Sequence, residues 1–273
     1  MKSVVFSKLE SALLILTFLP ECCCLKVFKR DYVEYRELII LHFVNWQRDI
    51  TLSKIDGKLV VIKRNKTVKT INEYLLVFVF TFISFVLLHP TTPLKTGKSI
   101  LENEGSFSRQ KLMALGIQTP ALIEINKDII IEEYIDGGNL YRFLQKSNDL
   151  EIVYKVGTIT RNLHNSGSCF IDNKAQNYLV KDLEIIRTDL GLIQNHATEY
   201  TKSVDIGIFL ASLLDLDNEK YKIIEKSFLD GYKKDPTDKL PYLSVIVRNI
   251  AALVLVSNHY NLAKNLLKKS DIK

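Results

Sequence analysis

The feature that most restricts how this chain can fold is a change of hydrophobic period at Asp136-Gly137-Gly138. Before it, short apolar runs alternate with turn residues. Residues 49–52 and 58–62 flank Asp56-Gly57, a pair that suits a two-residue hairpin because both positions tolerate a positive φ. Residues 121–125 and 128–133 repeat the arrangement around Asn126-Lys127. After the glycines the pattern turns helical. Ile152, Val156, Ile159 and Leu163 recur at spacings of four, three and four, which is one face of an α-helix. Residues 204–216, 219–233 and 240–257 also read as helices, and two short strands, 178–181 and 184–187, meet around Asp182-Leu183. The expectation is an α+β chain with a small β-rich lobe over residues 1–135, a hinge, and a mainly helical lobe over residues 136–273. Inside the first lobe, residues 99–115 read as a single helix stopped by Gly116 and Pro120.

Composition narrows the class of protein. Hydrophobic residues at 47% and charged residues at 25% describe a globular chain and exclude a wholly disordered or collagen-like one. The net charge of +6 is spread along the sequence apart from Lys264, Lys268 and Lys269, without the dense basic stripe of a nucleic-acid binder, so no nucleic-acid partner is expected from charge. Three adjacent cysteines (Cys22, Cys23, Cys24) and a lone Cys169 fit neither a disulfide framework nor paired zinc spacing, which points to a reducing, cytoplasmic setting. Two apolar runs, 12–19 and 75–88, are shorter than the ~20 residues a membrane helix needs. The second lies in an apolar insert at about 71–98, read as a buried helix or as a peripheral membrane contact through Leu75 to Leu88.

The chemistry concentrates after residue 169. In Phe170-Ile171-Asp172-Asn173-Lys174-Ala175-Gln176-Asn177 an Asp and an Asn stand five apart and lead into an apolar strand, spacing that lets one loop present both side chains on one side of a cleft. Twelve residues on, the strand 185–188 delivers Asp189-Leu190-Gly191, an aspartate able to ligate a metal.

These segments resemble the catalytic and metal-binding signatures of the protein kinase superfamily, H-R-D-x-x-x-x-N and D-F-G. Val60-Val61-Ile62-Lys63 is similar to the family's lysine strand, and Ser203-Val204-Asp205-Ile206-Gly207 to the helix supporting the catalytic loop. Leu163-His164-Asn165-Ser166-Gly167, Leu115-Gly116-Ile117-Gln118-Thr119-Pro120 and Glu133-Tyr134-Ile135-Asp136-Gly137 look like the atypical small kinases. The groups meant are RIO-type kinases, the kinase subunit of the tRNA threonylcarbamoylation complex, and lipopolysaccharide-core kinases. The resemblance covers about residues 50–215. It implies a bilobal protein-kinase-like fold using ATP and Mg2+. Asp172 would be the catalytic aspartate, Lys174 a phosphate contact, Asn177 and Asp189 the metal ligands, and Asp205 the structural support of the loop. Lys63 would hold the α- and β-phosphates, with Glu104 or Glu102 as its partner, while the backbone of Glu133 and Ile135 would meet adenine.

The pattern also has departures. No glycine precedes Gly57, so the usual Gly-rich phosphate loop is missing; Phe170 stands at the motif histidine, and Glu132 at a hinge position that is usually apolar. Only 15 residues separate Asp189 from Asp205, too few for the activation segment and peptide platform of ordinary eukaryotic kinases. The resulting expectation is an atypical serine/threonine protein kinase. A sugar, lipid or other small-molecule kinase and a pseudokinase acting as a binding module are the alternatives.

Overall fold

The computed structural model describes residues 48–65, 71–96, 98–235 and 237–256; the run 12–19, the three adjacent cysteines and the C-terminal lysines lie outside them. The chain divides into two compact units. One contains residues 48–88 and 122–134 of the described chain, the other 89–121 and 135–256.

The first unit is built on an antiparallel sheet. Strands β1 (Arg48–Ile55) and β2 (Lys58–Asn65) pair along their whole length, and Ile55 sits opposite Lys58. That register leaves Asp56 and Gly57 as the two-residue turn, with φ of 49° and 77°. Strands β3 (Leu122–Ile125) and β4 (Ile129–Glu133) complete the order β1-β2-β4-β3. The turn between β3 and β4 is tied by the Asn126 side chain, whose Oδ1 accepts from the N–H groups of Asp128 and Ile129.

Helix α1 (Ile71–Val86) forms from the apolar insert. Phe80, Ser84 and Leu87 are buried at helical spacing, whereas Phe78, Phe82 and Phe85 are exposed. At 16 residues α1 is about 24 Å long, short of a ~30 Å hydrocarbon core. No helix among the described residues is long and apolar enough to cross a membrane.

In the second unit the helix expected over 99–115 is two helices, α2 (Lys98–Glu104) and α3 (Ser106–Ala114). Gly105 separates them in an extended conformation (φ −70°, ψ 176°), which breaks the i→i−4 ladder. The stop after α3 is the expected one. Gly116 takes φ 75°, its N–H reaches the Met113 carbonyl, and the Ile117 N–H reaches that of Leu112.

The remaining elements are β5 (Gly138–Asn139), α4 (Leu140–Lys146), α5 (Glu151–Asn165), β6 (Tyr178–Lys181), β7 (Glu184–Arg187), α6 (Glu199–Ala211), α7 (Asn218–Tyr232) and α8 (Ser244–Val256). Strands β5, β6 and β7 form a small antiparallel sheet. The periodic face of α5 packs Ile152, Val156 and Leu163 inward, as its spacing predicts. It crosses α7 closely because both helices carry glycine at the contact. A Cβ on Gly157 would lie 2.2 Å from the Phe228 carbonyl oxygen, and one on Gly231 would lie 2.1 Å from that of Tyr154.

Helix α6 begins five residues before the expected Val204. Thr198 and Thr201 form a reciprocal capping box there, a signal usually carried by Glu at the second position. Helix α8 begins at Ser244 rather than 240, since Pro241 fits the approach to a helix and its carbonyl accepts from the Ser244 N–H. The fold class is α+β, with a small antiparallel β-sheet unit and a helical unit, consistent with a kinase-like fold.

Candidate active site

The loop between α5 and β6 is shaped by one buried carboxylate. Asp205, fully buried on α6, accepts the Phe170 N–H at 2.8 Å and the Ile171 N–H at 2.5 Å. His164, at the end of α5, bridges the same carboxylate at 3.0 Å and the Tyr232 hydroxyl at 2.8 Å. With both N–H groups caught, Ile171 is held at φ 67°, a conformation that a β-branched residue rarely adopts. The chain therefore turns sharply just before Asp172. Asn173 points the other way and is buried, bonded to Thr160, the Asp205 carbonyl and the Tyr178 hydroxyl.

Asp172, Lys174 and Asn177 come together on the loop. Lys174 Nζ lies 3.0 Å from Asp172 Oδ2, and Asn177 Nδ2 donates to the Asp172 carbonyl at 2.9 Å and to its Oδ2 at 3.0 Å. Burial raises the Asp172 pKa, but the Lys174 ammonium, the Arg187 guanidinium and hydrogen bonds from Lys174 and Asn177 outweigh it and hold the carboxyl below its ordinary range. Burial likewise lowers the Lys174 pKa, and the Asp172 and Asp189 carboxylates more than offset it, so the ammonium is held above its ordinary range. Asn177 commits its amide N–H pair to Asp172, which leaves its carbonyl oxygen as the atom for a hard cation.

The second loop follows β7. The Thr188 N–H and hydroxyl both donate to the Asn177 carbonyl, at 2.9 and 3.1 Å, which fixes the β7 end against the first loop. Asp189 has φ 57°, and the next N–H, that of Leu190, donates to Glu104 Oε1 at 3.0 Å. Asn103 on the same helix donates to the carbonyls of Gly191 and Ile193, both at 2.8 Å. Helix α2 is thus bonded to the Asp189 loop through two consecutive side chains.

Glu104 is fully buried and Glu102 is exposed, and Glu104 also pairs with Arg109 at 3.5 Å. Beyond Gly191 the segment folds back. Cys169 and Gln194 exchange backbone hydrogen bonds at 2.9 Å, and the Ala197 N–H reaches the Gly167 carbonyl.

In the β-sheet unit, Lys63 is buried and its Nζ lies 2.6 Å from Glu132 Oε1. Sequence reasoning missed this pair. Val61 stands opposite Glu132 across β2 and β4, so Lys63, two residues on, shares a face with it, and only the register reveals that. Glu133 ends β4 opposite Val60 and is exposed, and Ile135 is buried. Gly137 is required where the chain passes β6, because a Cβ there would lie 2.5 Å from the Val180 carbonyl oxygen.

Among the described residues, His164, Cys169 and Asp205 form a buried cluster whose ligand atoms lie within 4.8 Å of one another. Its hydrogen bonds commit His164 and Asp205 to the loop. Burial, reinforced by Asp205, pushes the Cys169 thiol well up, so it stays protonated and is a poor metal ligand.

The α+β arrangement that carries these two loops is consistent with a kinase-like fold. No family model matches the chain. It is 35% identical over 121 residues to the probable bifunctional tRNA threonylcarbamoyladenosine biosynthesis protein of Methanocaldococcus jannaschii, a stretch covering 43% of this chain and 22% of that protein. The proteins of the same name from Methanospirillum hungatei and Methanoculleus marisnigri are 29% identical over 132 residues and 26% over 117. Those stretches cover 48% and 43% of this chain, and 24% and 21% of the relatives. The chain therefore spans less than a quarter of the length of these curated relatives.

Proposed function

We propose that this chain is a cytoplasmic phosphotransferase of the atypical kinase type, moving the γ-phosphate of ATP to a hydroxyl with Mg2+. The observation that carries the reading is the joining of Asp172, Lys174 and Asn177 in one hydrogen-bonded loop, with Thr188 and Arg187 tying the Asp189 loop to it. Phosphoryl transfer asks the protein mainly for positioning and charge, and this set supplies both.

The donor set fits magnesium, being oxygen only: a carboxylate at Asp189 and a side-chain amide oxygen at Asn177. Magnesium, when bound, would supply charge neutralisation on the β- and γ-phosphates. Lys174 adds a cation beside the acceptor position, and Lys63 would bind the α- and β-phosphates, oriented by Glu104 as in the resemblance, with Glu132 as its neighbour in the sheet. The backbone of Glu133 and Ile135 would meet adenine, and Asp205 keeps the catalytic loop in register. Asp172, held ionised, is a weak base. Its part is to accept a hydrogen bond from the attacking hydroxyl, align it, and take its proton late in transfer.

The matched relatives are named for tRNA threonylcarbamoyladenosine biosynthesis, and their name supports that setting, with a tRNA-associated partner, as the one we propose for this chain. The acceptor in it is a protein Ser/Thr hydroxyl or a small-molecule hydroxyl.

The test is release and transfer of labelled γ-phosphate from Mg-ATP, with a generic protein acceptor, with sugar and lipid hydroxyls, and with tRNA added. Transfer to protein supports the protein-kinase form, and transfer to a small molecule supports the other kinase form. Magnesium-dependent nucleotide binding without any release would make the chain a pseudokinase. No nucleotide binding would end the enzymatic reading.

A further inference from the structure

Arg187 is a charged group of this site that the kinase pattern does not account for. It ends β7 and is fully buried, although a guanidinium stays charged at every physiological pH. Such burial requires local compensation. Here it comes from backbone oxygens, ring faces and the attraction of the Asp172 carboxylate, while Nε is buried without a hydrogen-bond partner among the described residues. Nη2 donates to the carbonyl of Asp172 at 2.8 Å and to that of Asp189 at 3.4 Å, and Nη1 donates to the carbonyl of Asn177 at 3.2 Å. Those carbonyls belong to the three residues whose side chains are assigned the acceptor and the metal. The guanidinium lies 4.4 Å from the ring centroid of Phe170 and 4.9 Å from that of Tyr178. Phe170 stands where the kinase motif has histidine, so the departure at 170 and the buried cation at 187 form one packed unit.

We propose that Arg187 is a positioning residue whose guanidinium clamps the backbone of Asp172, Asn177 and Asp189, so that the two loops of the site move as one body. The functional consequence rests on the kinase reading above; the clamp itself does not. Only a planar fork with several donors can reach three carbonyls from one place while packed against two aromatic rings that stand at 88° to each other. Lysine would keep the charge and lose the geometry.

The experiment compares wild type with Arg187→Lys, Arg187→Gln and a core control, Ile224→Ala, at temperatures equally far below each melting point. Amide hydrogen exchange is followed at residues 171–177 and 188–190. Both Arg187 variants should exchange there faster by about tenfold or more, while the control changes those amides no more than the rest of the core. In phosphate transfer, kcat should fall by about 100-fold in both variants with the KM for ATP within about threefold, as expected when aligned groups are displaced by about 1 Å. Full protection or full kcat in Arg187→Lys would overturn the proposal, since charge alone would then suffice. So would variants indistinguishable from Ile224→Ala.

If the variants do not fold, the wild type decides. A clamped guanidinium gives separate, slowly exchanging Nη–H resonances, and a single averaged signal would overturn the clamp. Absence of transfer in wild type would end the kinase reading, and the exchange and resonance data would still settle Arg187.

Discussion

Asp205 shows how much one side chain can fix. Its two oxygens receive two backbone N–H groups and an imidazole, all inside a fully buried site, and the direction of the Asp172 loop follows from those bonds. Replacing it by alanine leaves two buried N–H groups without acceptors, at roughly 1–3 kcal/mol each. Asp205→Ala should therefore lose about 2–6 kcal/mol in urea unfolding. A loss below about 1 kcal/mol would mean that water or a neighbour replaces the carboxylate easily.

Asp172 carries a pH signature. Its folded pKa lies below the ordinary carboxylate value of about 3.9, so the folded state holds the proton less tightly than the unfolded one. Its contribution to stability is therefore present above that value and lost as pH falls through the lowered folded pKa. Asp172→Asn should be less stable than wild type at pH 7, with the two stability curves converging in acid. Parallel curves would show that Lys174 and Arg187 do not act on this carboxyl.

At the scale of elements, the glycine contact between α5 and α7 is the most sensitive joint. A Cβ at Gly157 would have to stand 2.2 Å from the Phe228 carbonyl oxygen, so one helix must move. Gly157→Ala should destabilise by about 2 kcal/mol or more in thermal or urea melts, and a neutral result would place the helices farther apart than described.

This level was also the most legible from sequence wherever the information is local. Both two-residue turns, Asp56-Gly57 and Asp182-Leu183, were readable from the flanking apolar runs, although Leu183 adopts φ 61° without being glycine. Nothing local marks Gly105 as a break, because a lone glycine in a periodic run does not announce that the chain will extend there. The start of α6 was missed since Thr at the second capping-box position is a weak signal.

The site divides along the same line. Asp172, Lys174 and Asn177 are close in sequence and came out together, whereas Lys63 with Glu132 depends on strand register and Arg187 on tertiary burial. A strand-end arginine reads as solvated until the rings that cover it are placed.

For the whole molecule, an α+β fold consistent with a kinase-like one, the loops proposed to hold phosphate and magnesium, and relatives named for tRNA threonylcarbamoyladenosine biosynthesis meet in one chain. The short return from Gly191 to Thr198 is bonded back to Gly167 and Cys169.

In the function proposed above, Asp172 and Asp189 together make the phosphotransfer site. The most direct measurement follows labelled γ-phosphate from Mg-ATP in single turnover with wild type, Asp172→Ala and Asp189→Ala. The account predicts transfer or release by wild type, a fall of about 100-fold or more in each variant, and nucleotide affinity that becomes magnesium-independent in Asp189→Ala. Equal rates in all three proteins, or a wild type that binds Mg-ATP and never cleaves it, would contradict the account.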